Sequence, residues 1–385
     1  MEPTARRRVP LRAASKATKA ETRLANLRLT LQVVMAAGST SRADIARQTG
    51  LTRATVSALV ADLIADDLLV ETGLGESAGG KPPTLLEING SARQVIALDL
   101  SSAPLRGALL DLAGETVLST TGPDADLQGP DAVDAVVDLV TDLAARATAP
   151  LLGVGVGTPG VVDDRGHVVE AANLGWHDLP LGELLAERTG LAVHVANDAQ
   201  VSAIDEYGRR EDVDSLVVVR VGRGIGAGIV LDGRPHAGDR HAAGEIGHLR
   251  VVDDARAPEC RCGRRGCLEL YASLPAIMAT TGRAGGDPAQ LDDSDAGALA
   301  IAADHLGAAL ANLVAVLDVS HVVLGGPVEQ LGAAFLDAVR EALSGRILPA
   351  VADTLALTYS TAGPDAVLAG AWALVLAEEL GVVRR

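Results

Sequence analysis

Cys260, Cys262 and Cys267 are the only cysteines in this 385-residue chain, and they sit together in Cys260-Arg261-Cys262-Gly263-Arg264-Arg265-Gly266-Cys267. His248 ends the stretch Gly244-Glu245-Ile246-Gly247-His248 shortly before them. Three thiolates and an imidazole complete a tetrahedron around a borderline-soft cation and leave no open position. The spacing therefore predicts a structural zinc ion held by His248, Cys260, Cys262 and Cys267. Free structural thiols would scatter through the cores; these gather among arginines and glycines. Glu245 and Glu269 flank the loop 248–267 and are expected to be fixed with it, as acceptors for a small polyhydroxylated ligand.

Such groups need a scaffold, and from about residue 92 the chain reads as β/α twice over. In the first copy, strands Gln94–Leu100 and Arg106–Asp111 lead through a turn at Leu112–Glu115 to a helix, Ala132–Ala147, and to a strand that runs into glycines, Leu151–Gly160. In the second, Ser215–Val221 and Gly226–Leu231 lead through the turn Asp232-Gly233-Arg234 to a helix, Ala298–Leu317. The strand His321–Leu324 and its turn Gly325-Gly326-Pro327 follow. The repetition predicts two related α/β lobes with a ligand in the crevice beyond the strand ends. Aromatics are only 2% of a chain that is 48% apolar, so the cores must be built from Ala, Val, Leu and Ile.

The N-terminal part reads differently. Residues 24–37 have helical apolar spacing and stop at Gly38. Ser41-Arg42-Ala43-Asp44 looks like a capping box opening a second helix that ends near Gly50. Thr52 can cap a third helix, whose apolar face is Val56, Leu59, Val60, Leu63 and Ile64. Leu68–Glu71 and Thr84–Ile88 then read as a hairpin around a Gly-rich loop. Three helices and a hairpin predict a winged helix-turn-helix over residues 24–90. Its third helix would present Thr52, Arg53, Thr55 and Ser57 to base edges, while Arg42, Arg47 and Lys81 would meet phosphates. Charge agrees: residues 1–60 carry a cationic surplus, although the whole chain is at −17, so only the head suits a polyanion. Residues 1–23 are Arg- and Ala-rich without the apolar centre of a secretory signal, and read as a flexible basic arm. No stretch reads as a membrane span, and few cysteines at metal spacing suit a reducing cytosol, so a cytoplasmic protein is expected.

The order of these motifs resembles the ROK family over nearly the whole chain. The likeness is carried by the winged helix, Gly157-Thr158-Pro159-Gly160, Asn197-Asp198-Ala199, Gly222-Arg223-Gly224-Ile225-Gly226-Ala227-Gly228, the Gly244–His248 stretch and the cysteine loop. That family joins sugar kinases and sugar-responsive repressors. The resemblance implies an actin-like, ribonuclease H-like, two-lobed ATPase fold over residues 91–385. It also implies a sugar site at Asn173, Asn197, Asp198, Glu245, His248 and Glu269, with His248 serving both metal and sugar. In the kinases the aspartate matching Asp198 is the general base. The phosphate loops depart from the pattern: the family's Asp-x-Gly-Gly-Thr stands here as Asp99-Leu100-Ser101-Ser102-Ala103, and Gly-Thr-Gly as Gly222-Arg223-Gly224. Side chains now stand where backbone amides would approach phosphate oxygens, so Asp198 is expected to survive only as a vestigial base. The resemblance thus implies a DNA-binding regulator, usually a repressor, that acts on operator DNA as a homodimer or dimer of dimers and answers to a sugar effector. The rival is an ATP-dependent sugar kinase with a fused DNA-binding head. A weaker option is an activator, or a sensor whose phosphorylated sugar is drawn in by Arg223.

Overall fold

The computed structural model describes residues 18–76, 82–123 and 126–383, and the chain divides into two compact units, Met1–Glu87 and Ile88–Arg385. In the first unit α1 (Lys19–Ala37) opens with a full capping box. The Thr18 hydroxyl accepts from the Glu21 amide, and the Glu21 carboxylate accepts from the Thr18 amide. The helix thus begins at Lys19 rather than Leu24, and residues 19–23, read as part of a basic arm, are its first turn. The starting signal is polar and lies ahead of the apolar periodicity.

Next come β1 (Ser39–Ser41), α2 (Arg42–Thr49), α3 (Arg53–Ala65), β2 (Leu69–Leu74) and β3 (Thr84–Ile88). Ser41 caps α2 through the Asp44 amide, and Thr52 caps α3 through the Thr55 amide. Gly50 ends α2 in the left-handed conformation, which costs a glycine little. Ile45, Val56, Leu59, Val60 and Leu63 are buried, as are Leu31 and Val34 of α1. The strands form a small sheet in the order β1-β3-β2, with β1 antiparallel to β3. β1 is too short for alternation to reveal it.

The second unit begins with β4 (Gln94–Asp99), β5 (Arg106–Asp111), β6 (Thr116–Thr121), α4 (Gly129–Arg146) and β7 (Leu151–Thr158). A small sheet of β8 (Val161–Val162), β9 (Val168–Ala171) and β10 (Trp176–Leu179) follows, then α5 (Leu181–Thr189), β11 (Val193–Asn197) and α6 (Asp198–Gly208). The second half holds β12 (Leu216–Val221), β13 (Ile225–Leu231), β14 (Arg234–Pro235), α7 (Glu269–Ala272), α8 (Leu274–Thr280) and α9 (Ala296–Leu317). It ends with β15 (His321–Gly325), α10 (Gly332–Ser344), α11 (Pro349–Ala352), β16 (Ala356–Tyr359) and α12 (Ala366–Val375).

Two larger sheets share one topology: β11-β7-β4-β5-β6 and β14-β13-β12-β15-β16. In each, the first strand is central, the next two run antiparallel on one side, and the last two run parallel on the other. The repetition in the sequence is therefore a repetition of fold.

Two helices are exchanged between the lobes. α6 leaves the first sheet and packs on β13 of the second, while α12 leaves the second and packs on β7 of the first. Contact is backbone to backbone: a Cβ on Gly155 of β7 would lie 2.0 Å from the Ala371 carbonyl oxygen, and one on Gly228 of β13 would lie 2.0 Å from that of Ala199. Gly370 of α12 meets the Val201 carbonyl of α6 as closely. The glycines thus set the distance between the lobes.

One expectation fails in its wording. α9 is long and apolar enough to cross a membrane. It does not need one: Ala302, Leu306, Leu310 and Val314 lie in the core of the second lobe with Phe335, Val339 and Leu343 of α10. A helix that is apolar nearly all round is what a core position asks for.

Candidate functional site

The second unit holds a cavity of about 670 Å³ at the strand ends. Asn173, Asn197, Asp198, Glu245, His248 and Glu269 all line it. Asn173 comes from the turn between β9 and β10, Asn197 ends β11, and Asp198 opens α6. Glu245 and His248 stand on the short 3₁₀ turn after β14, and Glu269 begins α7. Residues far apart in sequence from both lobes therefore share one space.

The metal-binding cluster forms one wall. One donor atom each from His248, Cys260, Cys262 and Cys267 lies within 4.8 Å of all the others. Cys262 Sγ and Cys267 Sγ are 3.7 Å apart, against about 3.8 Å for the edge of a tetrahedron with metal–sulfur bonds of about 2.3 Å. His248 Nδ1 is 3.6 Å from Cys260 Sγ, so Nδ1 faces the sulfurs while Nε2 faces Glu245 Oε2 at 4.0 Å. Burial pushes the Cys260 and Cys267 thiols up; a cation among them is what would hold them as thiolates. The four residues fit a metal ion. Gly266 lets the loop close, since a Cβ there would lie 2.0 Å from the Val252 carbonyl oxygen.

Across the cavity Asn197 is a helix cap. Its Oδ1 accepts from the amides of Ala199 (2.9 Å) and Gln200 (3.1 Å), and its Nδ2 donates to the Gly160 carbonyl at 2.9 Å. One N–H is left for a ligand. Burial pushes Asp198 up, Arg220 pulls it down, and Asp99 adds to the rise. Glu245 is pushed up to about 7 by burial, with Asp198, Glu269 and Glu170 adding to the effect. Arg261, in the cysteine loop, donates to Asn173 Oδ1 at 3.4 Å and so joins the metal wall to the other lobe.

The opposite end is bonded to itself. Asp99 Oδ1 accepts from the Ser101 amide (2.9 Å) and hydroxyl (2.6 Å), and Oδ2 accepts from the Ser102 hydroxyl (2.6 Å). Arg223, read as a candidate for filling the nucleotide space or meeting a phosphate, pairs with Asp126. Arg220 donates from Nε to Asp198 Oδ2 at 3.1 Å and from Nη2 to Ser101 Oγ at 3.2 Å. Arg220 belongs to none of the sequence motifs. Its signal was one arginine in a strand otherwise made of Leu and Val. Trp176 does not line the cavity: it is core, with its Nε1 donating to the Gly129 carbonyl at 2.9 Å.

In the first unit Arg53 and Ser57 are exposed on α3, and Thr52 is exposed at its N-cap with Thr55 half-buried behind it. The Thr52 and Thr55 hydroxyls bond each other at 2.9 Å. Arg42 pairs with Glu71 and Arg47 with Asp44, each at 2.7 Å. Lys81 lies outside the described residues.

The ROK family profile matches residues 95–378. The xylose repressor of Caldicellulosiruptor bescii is 29% identical over 92% of this chain and 96% of its own. The glucokinase of Halalkalibacterium halodurans is 33% identical over 73% of this chain and 95% of its own. Among solved structures, a ROK family transcriptional regulator homologous to E. coli Mlc superposes with a TM-score of 0.77 at 26% identity, over 94% of this chain and 97% of that one. The regulators are matched over more than nine-tenths of this chain and the glucokinase over about three quarters of it, and on the profile match this chain belongs to the ROK family.

Proposed function

We propose that the chain is a sugar-responsive transcriptional repressor whose cleft binds a neutral sugar and whose first unit is a winged helix-turn-helix. The observation that carries this is the cavity's asymmetry. Carboxylates and an imidazole beside the metal wall face amides from across the cavity, as a polyhydroxyl ligand requires, whereas the end where phosphates would lie is occupied by the protein's own hydrogen bonds. His248, Cys260, Cys262 and Cys267 would hold zinc as a structural ion that fixes the loop, and His248 Nε2 with Glu245 and Glu269 would hold sugar hydroxyls. Asp198 serves as an acceptor rather than as a base, because phosphoryl transfer needs a donor held in line.

On the DNA side, α3 enters the major groove with Arg53 and Ser57 leading, and Arg42, Arg47 and Lys81 meet phosphates. A homodimer or dimer of dimers would read paired half-sites. The full-length match to a xylose repressor supports this order of parts. The sugar shifts DNA affinity by binding one lobe arrangement better than the other.

The glucokinase relative and the presence of Asp198 favour the rival reading, an ATP-dependent sugar kinase. One set of experiments separates them. In a thermal-shift screen of neutral aldopentoses and aldohexoses, at least one sugar should raise the melting temperature and change operator binding. A coupled assay with ATP and the same sugar should give no turnover. Steady phosphorylation at ordinary enzyme rates, of about 1 per second or more, would reverse the assignment.

A further inference from the structure

Arg220 stands in a strand that has no structural need of it. β12 reads Leu-Val-Val-Val-Arg-Val and is the central strand of its sheet. Val217, Val219 and Val221 fill the core on one face. Leu216 and Val218 pack with Ala203 and Tyr207 of α6 on the other, and alternation puts Arg220 on this second face at the cleft end. There its side chain is only 12% exposed and its partner Asp198 only 14%. Burying a guanidinium costs free energy unless its donors are used. Here they are: Nε serves Asp198, Nη1 serves Ser202 Oγ at 3.4 Å, and Nη2 serves Ser101 Oγ.

We propose that Arg220 is the positioning residue of the sugar site: from the phosphate end of the cleft it holds the Asp198 carboxylate in the orientation and charge state that accepts a sugar hydroxyl, and it makes the cleft selective for neutral ligands. This rests on reading the cleft as a sugar receptor. Three features carry it. Asp198 lies close to two other acids, Asp99 on β4 and Glu245 on the 3₁₀ turn, and Arg220 is the cation bonded to it. Arg220 is bonded to Oδ2, so Oδ1 is the carboxylate oxygen outside that pair. The other two arginines lining the cavity, Arg106 and Arg223, are paired with Asp365 and Asp126, so no uncommitted cation among these three awaits a phosphate.

The test uses the full chain and three variants: Arg220→Met, Arg220→Lys, and Arg220→Met with Asp198→Asn. Calorimetry with D-xylose, D-glucose and further neutral aldoses, and with glucose 6-phosphate, is run from pH 6 to pH 9. Metal content and melting temperature are recorded for each protein. Arg220→Met should bind the neutral sugar about tenfold more weakly at pH 6, the loss of one charged hydrogen bond. Without its cation Asp198 keeps its proton to higher pH, so the deficit relative to the parent should shrink toward pH 9. Glu245 titrates in the same window and is raised in part by Asp198, so the comparison is repeated with Glu245→Gln in both backgrounds. Arg220→Lys should restore most of the affinity. At pH 9 the double variant should regain the melting temperature that Arg220→Met loses, because an uncompensated buried carboxylate is gone.

A folded, metal-loaded Arg220→Met that binds sugar within twofold of the parent at every pH would overturn the proposal. So would tighter binding of glucose 6-phosphate than of glucose by the parent. If the parent binds no neutral sugar at all, the receptor reading itself fails and takes this proposal with it. If the parent binds sugar but Arg220→Lys is as weak as Arg220→Met, only the proposal falls.

Discussion

At one end of the cleft Asn173, Asp198, Glu245, His248 and Glu269 point at a shared space, held by a turn, a helix start and a metal-binding loop. At the other end Asp99, Ser101 and Ser102 are bonded to one another, and Arg220 bridges from Ser101 to Asp198. Both ends belong to one cavity, and both are lined by polar side chains. The difference is where the hydrogen-bonding capacity goes. At the metal end Asp198, Asn173 and Glu269 are each held by a protein partner yet keep lone pairs for a ligand, as a receptor requires, while groups that satisfy each other make a plug. The turns at one end of the cleft are thus bonded to themselves while the sheets beneath both ends keep one topology.

The largest effect should come from removing the frame at the receptor end. Cys262→Ser should lose the bound metal and all sugar-induced thermal shift, as measured by metal analysis and a melting curve. A variant that keeps one equivalent of metal would contradict the ligand set. Next is the scaffold common to both ends: Gly155→Val forces a side chain into the Ala371 carbonyl and should cost about 3 kcal/mol or more of stability in denaturant unfolding. Asp198→Asn keeps the shape but weakens the acceptor. It should reduce sugar affinity by about 10- to 100-fold, the range of a hydrogen bond to a charged group, without changing metal content. The smallest effect belongs to the plug. Ser102→Ala removes one bond to Asp99 and should cost about 1 kcal/mol of stability while sugar affinity stays within about twofold, by calorimetry. If Ser102→Ala weakened sugar binding as much as Asp198→Asn, the two ends would not differ as described.

The residues that line the proposed receptor end stand out in sequence because they carry chemistry in short motifs: a cysteine loop, Asn197-Asp198, and the Gly244–His248 stretch. Asn173 came only through family resemblance, since a lone asparagine in a turn has no signal of its own. The plug was half-legible. Loss of the glycines at Ser101 and Ser102 announced a change, but its form, with both hydroxyls folded onto Asp99, needed coordinates. Arg220 went unread although it is the misfit of its strand, because no motif asks for it and its partners lie 22 and 119 residues away.

Local sequence determined what is decided within a few residues: the caps at Thr18, Ser41 and Thr52, the metal-ligand spacing, and the alternation that repeats from one lobe to the other. These depend on backbone amides and side chains that are neighbours in the chain, so short patterns suffice. Tertiary structure decided the rest. α6 and α12 cross between lobes, glycines admit them at backbone distance, and that packing brings Asp198 against Arg220 and the metal loop against Asn173. Long-range contacts depend on how whole surfaces fit, and no local pattern encodes that fit.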